Sequence, residues 1–238
     1  LSDAIICPSN VTRDYIVSLG LNRKLVTVIP NGVSTSEFPP TPLPAREGRV
    51  PVLLYIGTLA DWQGLDIVIK ALPKILAQRA VRLQIVGHGR SRQRKILLKQ
   101  IRKLGVEGSV TVLPAVPHHE IPALIAESDI CVAPLGLNDR NVTQGACPIK
   151  VLEYMAAGRP LLASNMPIVR ELVREDVDAL LFSPNDPDDL ARQTLVLLND
   201  VELSKRLAQS ASERALNKFT WHEAQKKLGK VYEKLLGN

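Results

Sequence analysis

The chain has 238 residues, 45% hydrophobic and 23% charged, enough apolar material for one large domain or one domain with appendages. Aromatic residues make up only 4%, which argues against a protein that stacks single-stranded nucleic acid, and the three cysteines have neither metal-ligand spacing nor disulfide-scaffold density. The formal charge of +6 is unevenly placed: nine Lys or Arg and no Asp or Glu fall between Arg79 and Lys103, a pattern that suits an anionic substrate, an anionic membrane surface or a solvated helix face.

Cys7, Cys131 and Cys147 are most simply read as reduced thiols, hence a cytoplasmic setting. No apolar run approaches the roughly 18 residues needed to span a bilayer, and no signal peptide is visible. The chain opens directly in a strand-like stretch, which reads as a piece of a longer protein.

In chain order, Ala4 to Cys7 is a predicted strand, and Ser9 caps a helix running to about Leu19. Leu25 to Ile29 is a second strand, ending in the turn Pro30-Asn31-Gly32. Ser34 to Gly48 is proline-rich and without period, hence a linker. Then the pattern becomes regular. Predicted strands at Val52 to Ile56, Val81 to Val86, Ser109 to Leu113, Ile130 to Ala133, Leu161 to Ala163 and Ala179 to Phe182 are short apolar runs. Between them lie helices at Leu65 to Ala77, the basic stretch ending near Leu104, His118 to Ala126, the Cys147 to Pro160 stretch and Ile168 to Val173. Leu135 to Ala146 reads as a long loop, and three helices close the chain: Asp186 to Leu198, Val201 to Leu216 and Trp221 to Leu236. Apolar strands that each feed a helix predict a doubly wound, Rossmann-like parallel sheet covered on both faces. In such folds ligands bind beyond the carboxyl ends of the strands, where Gly57, Gly87 to Gly89, Pro114-Ala115, the 135–146 loop and Lys150 to Glu153 all fall.

Chemistry concentrates in the Cys147 to Pro160 stretch. Pro148 suits the first turn of a helix, Ile149, Leu152, Met155 and Ala156 supply an apolar face, and Gly158 with Pro160 ends it. Lys150 stands in the first turn, where the helix already carries partial positive charge. That placement is favourable if an anion binds there, since free N–H groups and a cation make a phosphate site. A surface Lys150–Glu153 pair explains the same residues equally well. Gly87-His88-Gly89 lacks the third glycine of a dinucleotide fingerprint, and a tight strand-to-helix turn accounts for it as readily. His118 and His119 adjoin Glu120 but have no third ligand near in sequence, so no metal is expected.

The ordered set Ser9-Asn10, Val28 to Val33, Leu54 to Gly57, Gly64 to Asp66, Ile85 to Gly89, Asp129 to Pro134 and Lys150 to Pro160 resembles the C-terminal half of family 4 glycosyltransferases of the GT-B fold. The resemblance runs nearly end to end. It implies transfer of a sugar, with retention of configuration, from a nucleotide-diphosphate sugar to a glycan or lipid-linked acceptor. It also implies four parts: residues 1–30 close a missing acceptor domain, 31–48 link, 49–220 hold the nucleotide sugar, and 221–238 cross back. Carried over by residue, Glu153 is similar to the glutamate that binds the donor ribose, a charge-assisted and orienting contact. Gly57 lies in the turn beneath the diphosphate, Gly87 and Gly89 beside it, and Pro114, Ala115 and Val116 in the segment that reads the base. Val151 belongs with the nucleotide site, and Gly145, Ala146 and Cys147 with the donor sugar.

Three departures stand out. Thr58 and Gln63 hold the two positions at which resembling enzymes carry Arg and Lys on the diphosphate, and Gly145 replaces their first glutamate. Lys150 is therefore assigned the phosphate contact and, with Glu153, the catalytic role, Arg140 being an outside candidate. The expected chemistry is electrostatic, with no metal or other cofactor. A non-catalytic binding module and a sugar-nucleotide epimerase remain alternatives. The basic helix raises contact with the inner face of a membrane, and nucleic acid is not an expected partner.

Overall fold

The computed structural model describes residues 2–45 and 47–237. The predicted parts at 1–30, 31–48 and 221–238 each include one residue (Leu1, Arg46, Asn238) that lies outside the described residues.

The first unit is small. Strand β1 (Ile5–Cys7) leads through helix α1 (Asn10–Ser18) to β2 (Val26–Val28), and the two strands pair in parallel with Ile5 opposite Val26. Ser9 caps α1 by accepting from the Thr12 N–H, leaving the N–H groups of Asn10 and Val11 to find another acceptor. Glu171 supplies it, its carboxylate accepting from Asn10 N at 2.8 Å and Val11 N at 3.1 Å. A carboxylate at a helix N-terminus also meets the positive end of the helix dipole.

The main unit is a six-stranded parallel sheet among the described residues, in the order β5-β4-β3-β6-β7-β8. Its strands are β3 (Val52–Ile56), β4 (Arg82–Val86), β5 (Val110–Leu113), β6 (Ile130–Ala133), β7 (Leu161–Ser164) and β8 (Leu180–Phe182). Every residue of β6 and β7 is buried because both faces are covered. Alternation divides them: Leu53, Tyr55, Ile130, Val132 and Leu162 join one core with α2 (Leu65–Leu76), α3 (Ser91–Lys103) and α7 (Pro187–Asn199). Leu54, Cys131, Ala133, Leu161 and Ala163 join the other, with α5 (Ile149–Ala156), α6 (Pro167–Arg170) and α8 (Val201–Lys218). Each fully buried Leu or Ile in these layers contributes roughly 1.5–3 kcal/mol. Helix α4 (Ile121–Glu127) follows β5, and α9 (Trp221–Leu236) closes the chain with no side chain buried. Among the described residues no helix is long and apolar enough to cross a membrane.

The strand order reverses direction between β3 and β6, and the crevice beyond their carboxyl ends is the place such a sheet offers a ligand. The doubly wound expectation is met, with four local corrections. Ile149 is exposed, 45%, because Val151, Leu152, Tyr154, Met155 and Ala156 form the buried face of α5. Residues Arg140–Gln144 coil into a wide helical turn inside the predicted loop. Helix α6 ends at Arg170, three residues short of Val173. The proline-rich stretch is laid against the main unit: Phe38 is in its core, the Thr41 N–H donates to Ala157 O, and the buried Arg159 guanidinium donates to Pro42 O at 3.0 Å.

Candidate functional site

Two turns meet at the switch point because glycine lets them. The Gly57 N–H donates to Val86 O at 3.0 Å and the Leu59 N–H to His88 O at 2.8 Å, lacing the turn after β3 to the turn after β4. A Cβ at Gly87 would collide with the Gly57 carbonyl oxygen, so the close approach requires the missing side chain. At Gly57 itself φ is +151°, and a Cβ would stand 2.6 Å from Lys150 Nζ. The lysine therefore lies directly over the bare backbone of this turn.

Lys150 reaches there from the first turn of α5. Its Nζ donates to Gln63 Oε1 at 2.7 Å and sits 4.3 Å from the Tyr55 ring centroid, and the Tyr55 hydroxyl donates to Thr58 O at 2.6 Å. The ammonium thus turns to Gln63 instead of Glu153, which replaces the surface Lys–Glu pair as an account of these residues. Helix α5 is fixed in turn by Tyr154, whose buried hydroxyl accepts from the last strand N–H of β3, Ile56 N, at 2.9 Å. Burial pushes the Lys150 ammonium down to about 7, against the opposing pull of the Glu153 charge. In the same turn, Thr58 Oγ1 is buried and has no hydrogen-bond partner among the described residues.

Glu153 lies one turn further along, its side chain 12% exposed. Burial raises its carboxyl, and His118 and Lys150 work against that rise. His118 Nε2 is 3.4 Å from Glu153 Oε1. Pro114 and Ala115 are exposed and Val116 packs on the core, in the segment that leads to His118.

The 134–146 segment is stapled to the turn Asp61–Gln63 by Asn141, which is fully buried and donates through Nδ2 to Trp62 O and Gly136 O, each at 2.9 Å. Arg140 lies over the Trp62 ring, 5.7 Å from its centroid, and not at Lys150's position. Gly145 backs onto α1: a Cβ there would stand 2.5 Å from Thr12 N and 2.6 Å from Thr12 Oγ1, at a φ of +80°. No side chain fits, which is a physical reason for the glycine where resembling enzymes have a glutamate. Cys147 is a core side chain with its thiol pushed up to about 11 by burial, and its carbonyl accepts from Asn31 Nδ2 at 3.0 Å. Among the described residues no group of three His, Cys, Asp or Glu side chains could hold a metal ion.

The structure thus brings Gly57, Thr58, Gln63 and Lys150 together, sets Glu153 and His118 one turn further along α5, and ties Gly87 to Leu113, which leads into Pro114 to Val116. Tyr55, Tyr154, Asn141 and His118 are additions that no spacing announces. Their partners lie between three and ninety-eight residues away in sequence.

Comparison with known proteins bears on the family and the fold. The family model described as glycosyl transferases group 1 matches residues 50–200, and one described as glycosyltransferase family 4 matches residues 1–37. Glycogen synthase of Mycobacterium tuberculosis is 29% identical over 233 residues, covering 97% of this chain and 54% of its own length. The chain spans about half the length of such relatives. Among solved structures, a glycosyltransferase from Rickettsia africae superposes with a TM-score of 0.87 at 19% identity, covering 99% of this chain and 64% of that one. Anabaena HepE in complex with UDP-glucose gives 0.83 at 21% identity, covering 100% and 65%. These two likenesses bear on the fold, that of GT-B glycosyltransferases.

Proposed function

The chain belongs to the group 1 glycosyl transferases, and from that premise we propose that it binds a nucleotide-diphosphate sugar and serves sugar transfer to a glycan or lipid-linked acceptor. The observation that carries this reading is the position of Lys150. Its ammonium lies over Gly57 and against Gln63, within the turn whose own positions 58 and 63 lack a cation. A diphosphate set on this turn meets the Lys150 ammonium, the unpaired Thr58 hydroxyl and the free N–H groups at the start of α5.

As the glycosidic bond breaks, negative charge collects on the departing diphosphate. Lys150 answers it with a full charge, where a helix N-terminus offers only about half of one. Glu153 takes the ribose hydroxyls and fixes the donor's register. Retention of configuration is carried over from the resemblance to family 4. The likeness to HepE, solved with UDP-glucose, makes uridine diphosphate the first donor nucleotide to try.

The chain is read as the donor-binding half of its enzyme. Helix α9 supports this: it buries no side chain, and Tyr232 and Leu235 on it are 57% and 47% exposed, an unclothed face fit for a further domain. On this reading the chain alone transfers little or no sugar. The basic face of α3 carries exposed Arg92, Arg94, Lys95, Lys99, Arg102 and Lys103 around an exposed Ile96, and we assign it to an anionic membrane surface on the cytoplasmic side.

A thermal-shift panel of nucleoside diphosphates and their sugars tests the reading, because a bound ligand raises stability by mass action. At least one diphosphate is expected to raise the melting temperature well above its parent nucleoside's effect. No shift with any of them overturns it.

A further inference from the structure

The carboxylate of Glu153 is not alone at the crevice. His118 Nε2 stands 3.4 Å from Glu153 Oε1, while the other ring nitrogen, Nδ1, stands 3.5 Å from Glu37 Oε2. The ring also meets Phe38 edge-on, with centroids 5.6 Å apart and planes at 77°. Phe38 is anchored in the core, and its N–H donates to Ser34 O at 3.0 Å. Three separate segments therefore converge on one imidazole: the proline-rich stretch, the turn His118–Glu120 after β5, and α5.

We propose that His118 is a positioning residue for the donor ribose: clamped by Glu37 and Phe38, its imidazole holds Glu153 Oε1 and so presents the second carboxylate oxygen to the ribose hydroxyls. This rests on the reading of Glu153 as the ribose-binding carboxylate. The chemistry is that of a carboxylate–imidazole–carboxylate chain, in which a ring carrying both N–H groups directs Nε2–H to Glu153 and Nδ1–H toward Glu37. An aliphatic-linked carboxylate with a free rotamer loses part of its attraction for two hydroxyls to ordering; a fixed one does not. His118 also acts on charge. Burial favours the protonated Glu153, and the hydrogen bond and charge of His118 are the first influences opposing it, ahead of Lys150, with Glu37 acting the other way. Glu37, His118 and Lys150 are thus the charged groups that bear on the Glu153 carboxyl. The side chains of His118 and Glu37 are 61% and 57% exposed, so neither is a packing element.

The test measures, by calorimetry on this chain, how much tighter UDP binds than 2′,3′-dideoxy-UDP. It compares wild type with Glu153→Gln, His118→Ala, His118→Gln and Glu37→Gln. Wild type should show a clear preference for the ribose form, and Glu153→Gln should remove most of it. His118→Ala should lower the preference about fivefold, the size of one lost orienting hydrogen bond, with the melting temperature unchanged. His118→Gln, which keeps an N–H near the Nε2 position, should restore most of the loss. Glu37→Gln should cause a smaller loss. In His118→Ala the preference should also fade at a higher pH than in wild type as acid is added, because Glu153 then protonates more easily. If Glu153→Gln leaves the preference intact, the ribose reading fails and the proposal falls with it. If Glu153→Gln removes the preference but His118→Ala does not change it, the ribose reading stands and the proposal alone is overturned.

Discussion

The two sides of the crevice are built on different plans. On the diphosphate side, Lys150 makes a 2.7 Å hydrogen bond to Gln63 and sits on the Tyr55 ring, and the glycine turns beneath it are interlaced. On the ribose side, Glu153 meets His118 only at 3.4 Å, and His118 meets Glu37 only at 3.5 Å. The first side is closed and stores a cation in a buried place. The second sets a largely buried carboxylate against an exposed imidazole through longer contacts. The difference shows where each side gets its ligand energy. Lys150 is held where burial disfavours its charge, so an arriving anion is attracted in full only where the ammonium keeps its proton. The ribose side has its carboxylate ready and gains by fixing its orientation.

The largest effect is expected where the comparison is sharpest. In the full-length enzyme, Lys150→Met should lower turnover on the order of a hundredfold, as loss of a charge contact to the leaving group does. Folding stability should barely change; steady-state kinetics beside thermal melts checks both. Next, Glu153→Ala should weaken nucleoside diphosphate binding by about 1.5–3 kcal/mol, the range for a charge-assisted hydrogen bond. Unchanged affinity in calorimetry, with the chain folded, would place the ribose elsewhere.

A third change asks whether the absent glutamate can simply be restored. Gly145→Glu should cost roughly 1–3 kcal/mol of stability by chemical denaturation, from a side chain forced to positive φ against Thr12. A variant as stable as wild type would show that α1 yields easily. The smallest and most salt-sensitive effect belongs to α3. Each of its basic residues near an anionic surface should add about 1 kcal/mol, screened by salt. Sedimentation with anionic and neutral liposomes reads this directly, and equal binding to both at low salt removes the membrane assignment.

Much of the fold is legible because its signals are local. Strands β3 and β6 coincide with their apolar runs to the residue, since Gly57 and Pro134 end them abruptly. Helix α9 likewise follows its cap, Thr220, whose hydroxyl accepts from Glu223 N. The turn Arg140–Gln144 was not legible: its polar residues carry no period, and what orders it is one buried amide, Asn141. Phe38 looked like part of a tether because a single aromatic among prolines gives no pattern, yet the core takes it. Within the site, the oddity of a first-turn lysine marked Lys150, but its partner Gln63 is 87 residues away and no spacing connects them. His118 has no third ligand near in sequence, so nothing there points to its role. Its partners, Glu37 and Glu153, come together only when β5 and α5 are packed.

The measurement that tests the central claim most directly is the affinity of UDP relative to uridine, in wild type and Lys150→Met, at pH about 6 and about 8.5. Burial pushes the Lys150 ammonium down to about 7, against the pull of Glu153. A diphosphate favours the charged form, so binding takes up a proton, and affinity falls as pH rises past that point. Wild type should therefore prefer UDP strongly at the lower pH and less at the higher. Lys150→Met should lose most of the preference and the pH dependence that wild type adds. An equal preference for UDP in both proteins, with the same response to pH, would contradict the claim that Lys150 supplies the fixed charge for the diphosphate.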